Sequence, residues 1–124
     1  MRFILCFLLA LVAAPAWADW VRIDENAYTI YYIDPLSIRK NGNYRKVWGV
    51  QDLKRRDRQD GEMSRRVLWE HDCKDERSRV LAFSLHPEPM VSGKALFSDS
   101  TASTWSAVPP NTVAQTVQQT VCAR

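Results

Sequence analysis

The residues of this chain that could carry out chemistry are few, and both of its histidines are among them. His71, Asp72 and Cys73 are consecutive, and His86 and Cys122 follow at larger spacings. Two imidazoles and two thiolates would match the ligand set of a tetrahedral zinc site. Strand alternation, however, puts His71 and Cys73 on one face and Asp72 on the other. An oxidised Cys73 could be neither nucleophile nor ligand, so we interpret His71 as a structural imidazole near the sheet edge and His86 as a loop residue.

The carboxylates form no recognisable catalytic pair. Asp34 precedes Pro35 and is expected to cap a turn with its side chain. Glu70 and Asp72 share one strand face, where cross-strand ion pairs are the simpler account. The sequence also contains no glycine-rich phosphate loop and no nucleophile elbow. We therefore predict a protein that is not an enzyme, with no catalytic residue, no metal site and no cofactor.

The first eighteen residues have the pattern of a secretory signal peptide. Arg2 gives a positive start, residues 4–14 are uncharged and apolar, and Ala16 and Ala18 form a small-x-small site before Asp19. The apolar run is well short of the ~20 residues of a membrane-spanning helix, and a buried N-terminal helix is the alternative. We predict a signal peptide over 1–18, cleavage between Ala18 and Asp19, and one domain over 19–124.

The two cysteines of the predicted mature chain, Cys73 and Cys122, would meet an oxidising compartment. Such a pair most simply forms a disulfide. By chain-entropy reasoning a loop of this length contributes about 4 kcal/mol to stability. A reactive or metal-binding thiol pair is the alternative.

Positive charge is concentrated in one polar connection, over residues 54–66. The formal net charge of +3 for 124 residues is too mild to indicate a nucleic-acid-binding protein. The connection could still attract acidic surfaces such as sulfated glycans or anionic lipid headgroups, and a solvated turn is the alternative. The cations of this candidate binding patch are Lys54, Arg55, Arg56, Arg58, Arg65 and Arg66.

Hydrophobic periodicity predicts an antiparallel sheet followed by one helix. Asn41-Gly42 is typical of a tight hairpin turn, and the tryptophans are expected to supply much of the core. After Asn111, the expected N-cap, valines at four-residue spacing predict an amphipathic helix of about twelve residues. We therefore predict an α+β domain whose sheet has about six strands and whose C-terminal helix is tied to it by Cys73 and Cys122. Strands are predicted at 20–24, 28–33, 44–53, 67–73, 78–85, 94–98 and 104–108.

Several segments in the same order along 19–124 share a family pattern. The longest is YYIDPLSIRKNGN at 31–43, which leads to Val47-Trp48. Others are Trp20-Val21, Asp72-Cys73-Lys74 with Arg77 and Arg79, Ser92-Gly93-Lys94 with Ser98-Asp99, and WSAVPP at 105–110 before the helix and Cys122. In these segments the sequence resembles the surface-adhesin protein E family of proteobacteria.

The resemblance implies an α+β domain with its C-terminal helix disulfide-linked to the sheet. It also implies an exported, non-enzymatic protein that adheres to host cells or matrix glycoproteins, with a homodimer as an option. The matching residues look like turn, core and disulfide positions, so no binding residue is transferred from the family. The alternative is a periplasmic structural or envelope-associated module that acts through protein contacts without adhesion.

The pattern around the predicted cleavage site affects the expected location. It provides no cysteine for lipid attachment, because Cys6 lies early in the apolar run. We expect a periplasmic or secreted protein without a transmembrane anchor and without a nucleic-acid partner, and cell-surface exposure remains an option.

Mass spectrometry of the exported protein tests the first two predictions together. We expect a chain that begins at Asp19 and a peptide in which Cys73 and Cys122 are joined. Two free thiols in the exported protein, measured under non-reducing conditions, would contradict both the compartment and the pairing.

Overall fold

Alternating β-branched and aromatic residues, separated by tight turns, build a single antiparallel sheet. The computed structural model describes residues 19–124, so the predicted signal peptide and its cleavage site at Ala18 lie outside the described part. The strands are β1 (Val21–Glu25), β2 (Thr29–Ile33), β3 (Arg39–Asn41), β4 (Tyr44–Leu53), β5 (Ser64–Asp72), β6 (Arg77–His86), β7 (Phe97–Asp99) and β8 (Ser106–Ala107). The α-helix α1 spans Val113–Cys122, and short 3-10 helices span Pro35–Ser37 and Pro89–Val91.

The strands lie in the order β1-β2-β4-β5-β6-β7, with β3 paired to β4 and β8 paired to β6. All the pairs are antiparallel. The predicted class, an antiparallel sheet with one C-terminal helix, is therefore confirmed. Among residues 19–124, α1 is far too short to span a bilayer, and no other helix there qualifies.

Local turn chemistry sets the path into the central strands. The carboxylate of Asp34 accepts a hydrogen bond from the Leu36 amide at 3.1 Å, as the turn prediction required. Gly42 has a φ of +58° in the β3–β4 hairpin, a conformation that glycine adopts at little cost. These two turns bring β3 back alongside β4.

The core lies between the sheet and α1. The helix presents its valine stripe to the sheet and contacts β1, β4 and β5. Each fully buried aliphatic side chain of this kind stabilises the fold by roughly 1.5–3 kcal/mol. The buried cluster consists of Ile33, Val47, Val67, Trp69, Val117 and Val121.

The disulfide fastens the end of α1 to the end of β5. Cys73 directly follows β5, Cys122 is the last residue of the helix, and their Cα atoms are 5.8 Å apart. The predicted pairing is confirmed. The helix begins one residue later than expected, because the Thr112 hydroxyl accepts a hydrogen bond from the Gln115 amide while Asn111 has a left-handed φ of 58°.

Only β4 has the predicted bounds, β3 was not predicted, and the starts of β5 and β7 differ most from the prediction. β5 begins at Ser64 rather than at residue 67, because the β4–β5 ladder continues to the pair Asp52 and Ser64. Arg65 and Arg66 therefore belong to a strand and not to the polar connection predicted over residues 54–66. β7 covers residues 97–99 instead of 94–98. The chain before it turns at Gly93, which has a φ of +80°.

Of the four tryptophans in residues 19–124, Trp69 is the one for which the expected core position is correct. Trp69 is 9% exposed and lies under the helix, whereas Trp20, Trp48 and Trp105 are partly exposed. A bulge in the β5–β6 ladder also places Val80 opposite Trp69. The structure therefore uses aliphatic side chains and a single indole for the packed layer.

Gly49 makes room for the buried indole, and its substitution tests this packing. A Cβ at Gly49 would overlap the Trp69 ring and lie 2.7 Å from the Tyr32 carbonyl oxygen. We expect Gly49→Ala to lower the free energy of unfolding by about 1–3 kcal/mol, measured by denaturant titration. In a double-mutant cycle, Trp69→Leu should remove much of this cost; an additive double variant would show that the ring is not the cause.

Candidate functional site

The structure divides the predicted basic patch between two faces of the sheet. Arg65 and Arg66 are neighbours in β5, so their side chains leave the sheet in opposite directions. Arg65 lies on the face that carries α1, where it donates a hydrogen bond to Gln51 at 3.2 Å. Arg66 lies on the other face, over the ring of Trp48. The other patch residues gather with Arg65.

These residues line an open cleft of about 620 Å³ at the end of β4 and the start of the connection after it. We call this feature the basic cleft. The β1–β2 turn and the end of β4 form its floor, and the β4–β5 connection, residues 54–63, forms its charged wall. Its lining residues are Ala27, Tyr28, Thr29, Leu53, Lys54, Arg55, Arg56, Asp57, Arg58 and Arg65.

Two of the cleft cations already have partners in the protein. Lys54 Nζ lies 2.6 Å from a carboxylate oxygen of Glu25, which lowers the pKa of that carboxyl group. Arg56 donates hydrogen bonds of 2.8 Å to the carbonyl oxygens of Gly61 and Pro87. These contacts fix the shape of the connection and reduce the share of charge that a ligand could use.

Arg65 is also engaged, by a buried carboxylate. It donates hydrogen bonds of 3.1 and 2.8 Å from Nε and an Nη atom to Glu62, whose side chain is only 1% exposed. The same guanidinium lies 3.7 Å from Asp57, and backbone amides of Asp60 and Gln59 lower the pKa of the Asp57 carboxyl group. Arg65 therefore acts as an internal counter-ion.

The acidic group that surrounds this arginine was not predicted from the sequence. Oxygens of Asp57, Asp60 and Glu62 lie within 4.8 Å of one another. The signal was the close spacing of these acids around Gly61, within a segment interpreted only as basic. Because Arg65 contacts two of the three carboxylates, it already supplies positive charge to the group.

Arg55 and Arg58 are the remaining cations of the basic cleft. Both are exposed, and within residues 19–124 neither makes a hydrogen bond or an ion pair with another side chain. Tyr28, in the β1–β2 turn on the floor of the cleft, is 79% exposed. The basic cleft thus offers two uncommitted guanidinium groups and one aromatic face to a ligand.

The histidines considered for a zinc site lie far apart along the β5–β6 ladder. His71 is paired with Ser78 at one end and His86 with Ser64 at the other. His86 is the last residue of β6 rather than a loop residue, and its ring contacts the Ser84 hydroxyl at 2.8 Å. Cys73 is consumed by the disulfide. The structure therefore does not bring the proposed ligand set together.

His71 is a buried structural residue under α1, not a group near an exposed edge. It is 3% exposed, and burial lowers its pKa from the ordinary 6.5 to about 4. The Gln118 side-chain amide donates to the Arg77 carbonyl oxygen at 2.9 Å and lies 3.4 Å from His71 Nδ1. This places the ring hydrogen of the neutral form on Nε2, which is buried without a protein partner.

The other face of the sheet carries the cross-strand ion pairs expected from the sequence. Glu70 lies 2.7 Å from Arg79, and Asp72 lies 2.9 Å from Arg77. Backbone amides, first that of Asp75, and then Arg77 lower the pKa of the Asp72 carboxyl group. The two carboxylates are largely withdrawn from water, while about a third of each arginine side chain stays exposed.

Trp105 covers the two arginines of these pairs. Its ring centre lies 4.7 Å from the guanidinium of Arg77 and 4.6 Å from that of Arg79. The Tyr44 ring is 5.8 Å away. This cation–π cluster was not predicted from the sequence, because its members come from three distant parts of the chain.

The fold and the cleft define an antiparallel α+β domain with a disulfide-anchored C-terminal helix and a basic surface cleft. The family model of the surface-adhesin protein E matches residues 20–123. This chain belongs to the surface-adhesin protein E family. Comparison with curated protein sequences gives no significant match.

Solved structures share the fold. Crystal form II of Haemophilus influenzae protein E matches with a TM-score of 0.65 and 18% identity, over 84% of this chain and 87% of that one. The protein E from non-typeable Haemophilus influenzae matches with a TM-score of 0.58 and 17% identity, over 84% and 75%. At this identity the likeness concerns the fold alone.

The lowered pKa of His71 predicts how the stability of the fold depends on pH. The unfolded chain binds a proton near the ordinary pKa of 6.5, whereas the folded protein resists protonation until about pH 4. Stability therefore falls as the pH decreases through this window, by about 3 kcal/mol in total. Denaturant titrations between pH 7 and 4 should show the loss.

One substitution separates this effect from the carboxylates. His71→Gln removes the imidazole and should flatten the pH dependence in that window. An equal slope in the wild type and His71→Gln would contradict the assignment to His71.

Proposed function

We propose that this protein is an exported, non-enzymatic binding protein of the adhesin type, whose basic cleft binds anionic groups of host cells or matrix glycoproteins. The observation that carries the proposal is the pair of uncommitted guanidinium groups of Arg55 and Arg58 beside the exposed ring of Tyr28. Family membership supports the adhesive class. The signal-peptide pattern of residues 1–18 supports export.

The distribution of partners among the cations decides which part of the cleft contacts the ligand. Lys54, Arg56 and Arg65 are held by protein acceptors, so they shape the wall. Arg55 and Arg58 can offer all of their N–H donors to a ligand, because neither is bound by another side chain of residues 19–124. A guanidinium group binds sulfate or carboxylate groups in a bidentate manner.

A polyanionic ligand fits this site better than a singly charged one. Each exposed ion pair contributes only ~0.2–1 kcal/mol, so useful affinity requires several contacts along one ligand. An acidic glycan chain provides repeated charges, and its sugar rings offer apolar faces to Tyr28. Such binding weakens as salt increases, because exposed charges are screened.

A second candidate function is an envelope-associated interaction module without an adhesive role, as a monomer or a homodimer. The observation in its favour is a pair of exposed apolar residues at the short edge strand β7. Phe97, the first residue of β7, is 53% exposed, and Leu96, directly before it, is 52% exposed. Exposed apolar residues at a sheet edge are suited to contact with another protein.

Binding to immobilised heparin at low salt, measured by surface plasmon resonance, tests the adhesive proposal. We expect Arg55→Gln/Arg58→Gln to weaken the affinity by about tenfold, because two exposed ion pairs are lost. The control Lys40→Gln/Lys46→Gln removes the same charge from exposed positions outside the cleft and should have a much smaller effect.

Equal losses in the two double variants would mean that net charge, and not the basic cleft, drives binding. An absence of saturable binding by the wild type would reject the polyanion proposal. Pull-down of an envelope protein that depends on Leu96 and Phe97 would then support the second candidate.

A further inference from the structure

Arg66 and Trp48 form a separate cationic feature on the sheet face opposite α1. Arg66 stands opposite Val50 in the β4–β5 ladder, and Trp48 stands opposite Leu68. The guanidinium reaches diagonally along the face, and its central carbon lies 3.7 Å from the centre of the Trp48 ring. The indole therefore supports one flat side of the guanidinium.

The stacked pair borders a pocket of about 280 Å³, which we call the Arg66 pocket. Its remaining wall comes from β6 and from β7 with the residue after it. Ser84 and Ser98 stand in line with Arg66 across the sheet, which places their hydroxyl groups on the same face. The lining residues are Trp48, Arg66, Ala82, Phe83, Ser84, Ser98, Asp99 and Ser100.

Arg66 has no acceptor among residues 19–124, although it is partly withdrawn from water. No hydrogen bond or ion pair joins its guanidinium to any group in that range. Burial lowers its pKa, but an arginine remains protonated in a protein. The site thus holds a positive charge and a set of N–H donors in place without using them.

The carboxylates near the Arg66 pocket are already engaged within the protein. Glu70 pairs with Arg79, and Asp52 accepts a hydrogen bond from the Met90 amide at 2.9 Å. Asp99 stands opposite Phe83, so alternation directs its side chain to the α1 face, and it accepts a hydrogen bond from the Thr101 amide at 2.7 Å. None of these acids forms an ion pair with Arg66.

We propose that the Arg66 pocket is a binding site for a small carboxylate. The edge of a guanidinium presents parallel N–H donors that match the two oxygens of a carboxylate. Stacking on Trp48 fixes the plane of this edge, so less conformational entropy is lost when the anion binds. The Ser98 hydroxyl group lines the wall that such an anion would face, whereas the Ser84 hydroxyl is engaged by His86 Nε2 at 2.8 Å. The volume suits a group as small as an acidic side chain or an organic acid.

This site is independent of the basic cleft. The two features lie on opposite faces of the sheet, since Arg65 belongs to one and Arg66 to the other. Ligands of the two sites can therefore be examined separately, and failure of one proposal leaves the other standing.

Nuclear magnetic resonance titration with acetate tests the proposal. The labelled protein is titrated at pH 7 in a buffer free of carboxylate and phosphate, with chloride at equal ionic strength as the reference. We expect saturable shifts of the Arg66 Nε–H and Trp48 indole N–H resonances, with a dissociation constant on the order of 1–10 mM for a single charge-assisted contact.

Variants distinguish the site from general charge effects. Arg66→Gln should abolish the saturable shift of the Trp48 resonance, and Arg66→Lys should weaken binding about tenfold, because lysine keeps the charge but lacks the planar fork. Arg55→Gln/Arg58→Gln should leave the titration unchanged. The dispersion of the other resonances reports whether each variant is folded.

Three results would overturn the proposal. They are an acetate titration no different from chloride, a saturable Trp48 shift that persists in folded Arg66→Gln, and inorganic phosphate binding more tightly than acetate with the same dependence on Arg66. The last result would show that the pocket selects a tetrahedral anion and not a planar one.

Discussion

The packing of α1 across the sheet is the contact on which the rest of this structure depends. A helix of ten residues, rich in valine, is marginal in isolation, because few internal hydrogen bonds offset the cost of nucleation. The sheet in turn needs a cover for Val47, Val67 and Trp69 on one face. The disulfide at the end of the helix joins the helix covalently to the end of β5. It also stabilises the fold, because it limits the conformational freedom of the unfolded chain. Each element therefore supplies what the other lacks.

The tight contact between helix and sheet has consequences for polar groups near it. His71 lies beneath α1 in its neutral form, and Gln118 satisfies one of its ring nitrogens. The neutral imidazole is the form that a buried, weakly partnered site favours. The helix cover thus makes this residue a structural group, although the sequence places it next to a cysteine and an aspartate.

The two faces of the sheet use their arginines in different ways. On the α1 face, Arg65 and Arg56 hold a loop together through a buried carboxylate and backbone carbonyls. On the opposite face, arginines lie against the indoles of Trp48 and Trp105. A guanidinium suits both surroundings because it is planar, weakly hydrated and always charged. The number of arginines therefore says little about which of them can bind a ligand; their partners decide it.

The amino-acid sequence alone predicts the class of the fold, the hairpin at Asn41-Gly42, the cross-strand ion pairs and the Cys73–Cys122 link. The first three depend on local periodicity and turn residues, which are signals of short range. The disulfide spans 49 residues, but it follows from the presence of two cysteines in an oxidising compartment. Tertiary contacts separate Arg66 from the other patch residues, bring Trp69 into the core as the one tryptophan there among residues 19–124, and bind Arg65 to Glu62. The ladder register and the strand boundary at Ser64 decide these points, because a one-residue change sends every side chain of a strand to the opposite face.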